Sequence, residues 1–140
     1  MNFRFLIFLF ITNSLNAPKN NVPTILLITI DDMGWKDVGF MGSEYYETPN
    51  IDKLAKQGMI FTNGYAAAAN CSPSRASLMT GLWTTRHGIY TVGSSERGNV
   101  RDRKLIPIKN TRFLSNNFKI IPQVLKEYGY TTCHAGKWHL

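Results

Sequence analysis

Cys71 lies in a sequence context suited to handling an anion. It stands two residues before Pro73 and four before Arg75, in the stretch AANCSPSRASLMTGLW. Residues 74–80 predict a short helix that ends at Gly81, so Cys71 is expected to precede the helix N-terminus. The free N–H groups and positive dipole end of a helix start favour an anion, and Arg75 would add a positive charge. These residues alone leave two interpretations open: a reactive group, or a small thiol buried at a helix start.

Two adjacent carboxylates, Asp31 and Asp32, follow the apolar run from Thr24 to Ile30. That run predicts a strand buried on both faces. Adjacent carboxylates repel each other unless solvent or a cation relieves the repulsion, and hard cations such as Ca²⁺ and Mg²⁺ prefer carboxylate oxygens. The pair is therefore compatible with a metal site and with a simple turn that caps the strand.

Lys137 and His139 form a third candidate pair, in the segment GKWHL. If the preceding strand geometry persists, side chains two residues apart point the same way and could reach one anion or one proton. The alternative is a surface edge with Trp138 packed inward. We interpret His87 as structural support and His134 as a packing residue.

Strand patterns alternate with helix patterns along the chain, which predicts an α/β fold with a largely parallel sheet. In such sheets, chemistry gathers at the carboxyl ends of the strands, where the aspartate pair and the Lys137 segment are expected. The predicted elements are strands at 24–30, 59–65 and 130–135, helices at 48–58, 74–80 and 121–129, and a long loop at 93–117.

The first 17 residues have the layout of a secretory signal peptide. Arg4 precedes the apolar run from Phe5 to Ile11, and a more polar stretch ends at Ala17. The run is shorter than the roughly 20 residues that span a bilayer, so we expect export without stable membrane insertion. A buried N-terminal strand is the structural alternative.

The chain of 140 residues has a formal net charge of +7, and seven Lys or Arg but only one acid lie between Arg97 and Lys119. This stretch lacks a nucleic-acid-binding motif and regularly interleaved aromatic residues, so we do not expect nucleic-acid binding. We favour a solvated loop over attraction of an anionic substrate. In an oxidising compartment, a disulfide between Cys71 and Cys133 is the structural alternative for both cysteines.

Four segments together resemble the type I, formylglycine-dependent sulfatases. They are TILLITIDDMGW, TPNIDKLAKQG, CSPSRASLMTG and GYTTCHAGKWHL, which occur in the family's order between Pro23 and Leu140. Asn70 departs from the aliphatic or small residue that is more usual before the cysteine. The resemblance implies an alkaline phosphatase-like sandwich with a largely parallel central sheet. Because family members continue well beyond the segment that resembles GYTTCHAGKWHL, we expect residues 18–140 to be a truncated, N-terminal portion of the catalytic domain, inactive alone.

The resemblance also implies roles for particular residues. Cys71 would be oxidised to Cα-formylglycine by a maturation enzyme that reads Cys71, Pro73 and Arg75. One hydroxyl of the hydrated aldehyde would attack the sulfur of a sulfate ester, and the second would help expel sulfate by reforming the aldehyde. A serine has no second hydroxyl for that release.

Further roles come from the same resemblance. Asp31 and Asp32 would coordinate Ca²⁺, with Mg²⁺ as the alternative, together with the oxygen of the modified Cys71. Arg75 and Lys137 would stabilise the modified residue and the charge on the sulfuryl group. His139 would hydrogen-bond a formylglycine hydroxyl. The catalytic set is Cys71, Arg75, Lys137 and His139.

The implied enzyme is an exported sulfuric ester hydrolase, which would be periplasmic, secreted or lysosomal depending on the host. Its expected substrates are sulfate esters, with sulfated carbohydrates favoured by the basic surface. Two alternatives stay open: a phosphonate or phosphodiester hydrolase of the same superfamily, and a non-catalytic secreted protein with a Cys71–Cys133 disulfide. Rates on paired sulfate and phosphate esters separate the two enzymes.

Overall fold

The computed structural model describes the backbone of Phe8–Thr12 and the residues from 22 to 140. The chain divides into two compact units, of which the first ends at Tyr65 and the second spans Ala66–Leu140. The rest of the predicted signal peptide, including the expected cleavage site after Ala17, lies outside the described residues. The leader therefore stays a prediction. No helix in the described part of the chain combines the length and apolar character that crossing a bilayer requires.

The first unit contains a two-stranded antiparallel sheet. Strand β1 spans Phe8–Thr12, and β2 spans Thr24–Ile28. Phe8 lies opposite Ile28 and Thr12 opposite Thr24. Strand β2 confirms the strand predicted from the β-branched and leucine run, although it ends two residues earlier than the pattern indicated. Exposed and half-buried residues alternate along β2, so this strand is not buried on both faces as predicted.

Helix α1 spans Pro49–Gln57 and confirms the helix predicted at 48–58. Its first turn holds the short 3-10 turn Gly39–Met41 through one carboxylate. Asp52 Oδ1 accepts hydrogen bonds from the Phe40 N–H and the Thr48 hydroxyl, both at 2.9 Å. The Thr48 oxygen in turn accepts the Gly39 N–H at 2.8 Å. These bonds fix the loop that follows the aspartate pair onto the start of α1.

The second unit is helical and loop-rich. It contains α2 (Cys71–Thr80), α3 (Thr84–His87) and α4 (Ile121–Glu127), with a 3-10 turn at Val100–Asp102 inside the predicted long loop. Helix α2 begins at Cys71, three residues before the predicted start. The early start is possible because Pro73 sits in the first turn, where a missing N–H costs no intrahelical hydrogen bond.

The strands predicted at 59–65 and 130–135 do not form among the described residues, and the predicted parallel sheet is not seen there. A strand exists through its ladder with a neighbour, and β2 has its ladder only with β1 in this part of the chain. Met59 and Phe61 are exposed, as are Cys133 and His134. The segments 59–65 and 130–135 contain residues that favour strands, but they form none in this part of the chain because they have no pairing partner.

A buried polar pair fastens α2 to the end of α3. His87 is 4% exposed and Ser77 is 6% exposed, which confirms the interpretation of His87 as structural support. The Ile89 N–H donates to His87 Nδ1 at 3.2 Å, so the ring proton belongs on Nε2, which donates to Ser77 Oγ at 3.0 Å. Burial lowers the pKa of His87 below its ordinary value, so the neutral ring that this arrangement needs is also the favoured one.

We predict that the pair makes stability depend on pH in mildly acidic solution. The unfolded chain takes up a proton on His87 as pH falls below about 6.5, whereas the folded chain resists it until the lower folded pKa. The free energy of unfolding therefore falls with decreasing pH in that window, by at most about 1.4 kcal/mol per pH unit. Urea unfolding of the chain and of His87→Gln, followed across this range, measures the slope.

His134→Gln is the matched control, because His134 is exposed and its loss leaves the Ser77 contact intact. The wild-type slope is expected to persist in His134→Gln and to flatten in His87→Gln. Equal slopes in the wild type and His87→Gln would contradict a buried neutral ring.

Candidate functional site

Cys71 occupies the first position of α2, and the residue before it leaves the helix start without a side-chain cap. Asn70 has extended backbone angles, and its side chain makes no capping bond. Instead, Asn70 Nδ2 donates to Thr91 Oγ1 at 2.9 Å. The first turn also carries no acidic residue. Its positive dipole end is thus not neutralised from within the helix, which suits an anionic group beside position 71.

Arg75 ties α2 to the segment that contains Lys137 and His139. Its guanidinium Nη1 donates to the backbone oxygen of Lys137 at 2.6 Å, and the residue is only 8% exposed. A charge-assisted bond of this kind is stronger than a neutral one and holds two segments 62 residues apart. The structure therefore brings the Arg75 guanidinium to the backbone of Lys137, while the role expected of the Lys137 side chain stays a prediction.

The assumption that Lys137 and His139 extend a strand is wrong. His139 has a φ of 63°, in the left-handed region, which breaks the alternation of side chains that a strand would give. His134 lies outside any strand: its ring packs edge-on against Trp138 at 5.0 Å between centroids, and its Nε2 lies 3.1 Å from the Gly136 oxygen. The packing role expected for His134 is thus met by a local contact.

In the first unit, Asp31 and Asp32 lie in a turn that begins three residues after the end of β2 at Ile28. Asp32 is exposed and has a φ of 58°. A non-glycine residue in this region costs backbone energy, and such positions concentrate at functional sites. Asp37 has a different role, because its Oδ2 accepts the Gly34 N–H at 2.6 Å and closes the next turn. Asp31 and Asp32 thus place two carboxylates in one turn of the first unit, whereas Cys71 belongs to the second unit.

An asparagine that no sequence motif indicated shapes the loop that is bonded to Asn70. Asn110 Oδ1 accepts the N–H groups of Tyr90 and Thr91 at 2.7 and 3.2 Å. Its Nδ2 donates to the oxygens of Thr91 and Gly93 at 3.0 and 2.6 Å. Thr91 is also the partner of Asn70. The tendency of asparagine to bond backbone groups in turns is the signal that could have identified it.

Gly88 is required where this loop meets α3. It has a φ of 75°, and its oxygen accepts the Thr111 N–H at 2.9 Å. A Cβ at this position would lie 2.8 Å from Thr111 Oγ1. Only glycine therefore permits both the left-handed conformation and the close approach of the two segments.

The Cys71–Cys133 disulfide does not form: both cysteines lie in the described residues, and neither is in a disulfide. Cys133 is exposed and Cys71 is half-buried. The non-catalytic alternative loses the bond on which it depended.

Comparison with known proteins identifies similar sequences over most of the chain. Human N-acetylgalactosamine-6-sulfatase is 40% identical over 118 residues, which cover 84% of this chain and 22% of the relative. Mouse arylsulfatase G is 38% identical over 131 residues, covering 93% of this chain and 22% of the relative. A sulfatase of Formosa agariphila is 38% identical over 129 residues, with 86% and 23% covered. The chain thus spans about a fifth of the length of these curated relatives.

The sulfatase family model matches residues 23–140. The match includes the turn after β2, all of α2 and the segment bound by Arg75. Because the family model matches most of the chain, the chain belongs to the sulfatase family.

Proposed function

We propose that the protein is an exported sulfuric ester hydrolase whose nucleophile is formylglycine made from Cys71. The observation that carries the proposal is the placement of Cys71 at the uncapped first turn of α2, with Arg75 buried one turn later, in a chain of the sulfatase family. The relatives' names, which describe sulfatases, support sulfate over phosphate esters.

The modified residue would supply a hydrated aldehyde with two hydroxyls, one to attack sulfur and one to allow sulfate to leave. Other residues of the chain would stabilise negative charge and hydrogen-bond the hydroxyls. Arg75 lies near the helix start and would offset negative charge on the sulfuryl oxygens, where buried cations act strongly. Lys137 would add a second positive charge, and His139 would hydrogen-bond a hydroxyl of residue 71.

A divalent cation would be held by Asp31, Asp32 and residue 71, with Ca²⁺ first and Mg²⁺ second. The donor chemistry fits: Asp31 and Asp32 supply hard carboxylate oxygens, and the modified residue 71 would supply a further oxygen. The cation would supply Lewis-acid polarisation of the sulfate oxygens when bound. The two carboxylates would otherwise repel each other, and a cation relieves that repulsion.

The maturation enzyme that reads Cys71, Pro73 and Arg75 is expected to act before folding. In the folded chain Pro73 is fully buried and Arg75 is nearly so. An enzyme cannot contact these side chains without opening α2. Passage of an unfolded chain through an export pathway would offer that access, in agreement with the predicted leader at residues 1–17.

The proposal also covers the substrate class and the fold of the catalytic domain. Sulfated carbohydrates are the favoured substrates, supported by the sugar in the name of the N-acetylgalactosamine-6-sulfatases and by the basic loop. Residues 18–140 would be the N-terminal portion of a catalytic domain with an alkaline phosphatase-like fold. Its central sheet would be largely parallel, with β2 as one strand.

Mass spectrometry tests the nucleophile directly. When the chain is co-expressed with a formylglycine-generating enzyme, the peptide that contains Cys71 is expected to lose about 18 Da, since a thiol becomes an aldehyde. The peptide that contains Cys133 is the internal control and should keep its thiol mass. Arg75→Ala is expected to abolish the conversion because it removes a recognition residue.

Two outcomes would count against the modification. One is a Cys71 peptide of unaltered mass under these conditions. The other is a mass shift of the same size in the Cys133 peptide, since a non-selective oxidation would explain both.

Calorimetric titration of the chain with Ca²⁺ tests the aspartate pair. Removing one of two carboxylate ligands is expected to weaken binding at least about tenfold, so Asp31→Asn and Asp32→Asn should both lose affinity. Asp102→Asn is the matched control, because Asp102 is an exposed acid in the 3-10 turn of the long loop. Affinity that is equal in all three variants would exclude this pair as the ligands.

A further inference from the structure

A basic cavity that is largely open to solvent lies in the long loop of the second unit, outside the site described above. Its volume is about 330 Å³. The residues that line it are Ser95, Arg97, Arg103, Lys104, Leu105 and Pro107. Three of the seven cations between Arg97 and Lys119 therefore face one concave space.

The charge in the cavity is only partly compensated. Arg103 Nη1 lies 3.7 Å from a carboxylate oxygen of Glu96, whose side chain is 67% exposed. An exposed ion pair of this kind contributes little, because solvent screens it. No acidic residue is among the six that line the cavity, all of which are described. The space therefore carries a net positive charge suited to an anion.

Arg103 is held in place before any ligand arrives. Its side chain is 20% exposed. Its Nε donates to the Arg97 oxygen at 3.1 Å and its Nη2 to the Gly98 oxygen at 3.2 Å. A guanidinium fixed by two backbone bonds loses little further conformational freedom on binding, which favours recognition of a planar or tetrahedral oxyanion.

Hydrogen bonds connect this cavity to the residue that precedes Cys71. Arg97 Nη2 donates to Thr91 Oγ1 at 3.1 Å, and the same oxygen accepts Asn70 Nδ2 at 2.9 Å. The asparagine that departs from the family's usual residue is thus the one that links the loop to the start of α2. Two hydrogen bonds through one hydroxyl separate the cavity's Arg97 from Asn70.

We infer that the cavity binds a second anionic group, a sulfate or a carboxylate, of a sulfated oligosaccharide whose reacting sulfate ester is held at residue 71. This inference rests on the proposed function for the position of the reacting ester. Leu105 is 84% exposed and lies with Pro107 beside the cations, so the lining also offers apolar surface to the C–H faces of a sugar ring. None of the six described lining residues is aromatic, so the stacking platform of a single-strand nucleic-acid site is missing.

Binding to the unmodified chain tests the cavity without any catalysis. The probe is a chondroitin 6-sulfate tetrasaccharide, titrated calorimetrically at low salt and compared with its desulfated counterpart. Lys104→Gln and Arg97→Gln are each expected to weaken binding at least about threefold, since each removes one facing cation. Desulfation is expected to weaken binding by more than either substitution.

Lys109→Gln and Arg112→Gln are the matched controls, because they remove the same charge from exposed positions of the same loop that do not line the cavity. Binding by these variants should stay within about twofold of the wild type. Circular dichroism and the unfolding midpoint check that Lys104→Gln, which alters an exposed side chain, folds as the wild type does.

Four outcomes would overturn the inference. They are no binding by the wild type, equal losses in the control variants, equal binding of the desulfated sugar, and equally tight, Lys104-dependent binding of a single-stranded oligonucleotide. The mass of the Cys71 peptide is measured separately. A thiol that stays unmodified while Lys104-dependent binding persists would defeat the proposed chemistry and leave the anion site standing.

Discussion

The hydrogen bond from the buried Arg75 guanidinium to the Lys137 oxygen is the constraint on which the candidate site in the second unit depends. Helix α2 has no wide apolar face to fix its orientation, and several of its buried residues are polar: Ser72, Arg75 and Ser77. A guanidinium that is removed from water must find acceptors, so its burial selects one arrangement of the two segments. The requirement to satisfy the buried charge therefore fixes the position of α2 relative to the Lys137 segment.

Polar hydrogen bonds also position α2 on either side of Arg75. Asn70 bonds to Thr91 before the helix, and Ser77 bonds to His87 after its second turn. Hydrogen bonds of this kind tolerate little displacement, because their strength depends on distance and angle. Asn70, Arg75 and Ser77 each bond a different partner, and together they hold the start of α2. Apolar contacts are non-directional and would fix its position less well. Under the proposed function, this matters because the reacting atom of residue 71 would have to be positioned within a fraction of an ångström.

The sequence predicted local features well and long-range ones poorly. Pro49 and Gly58, which bracket α1, and Gly81, which ends α2, act within one helical turn, so their positions could be recognised without a fold. The segments at 59–65 and 130–135 have strand-forming side chains but no ladder partner among the described residues, and a pairing partner is not a local property. The hydrogen bonds of the Asn110 side chain reach backbone groups 17 to 20 residues away along the chain. Nothing in the residues next to Asn110 indicates which backbone groups it will bind. The candidate residues themselves were recognised through their motifs, whereas the backbone of His139 had to be seen.

Under the proposed function, Pro73 and Arg75 would meet two demands, one before folding and one after it. To be read by a modifying enzyme, both side chains must be accessible; to hold α2, both must be buried, as they are in the folded chain. Accessibility and burial of the same atoms are exclusive, so the two roles must be separated in time. Proline suits the sequence of events, because it disfavours helix at the residue before it in an open chain yet fits the first turn once α2 has formed. The residues that would mark Cys71 for oxidation would thereby be the ones that are buried in the first turns of α2 once the chain has folded.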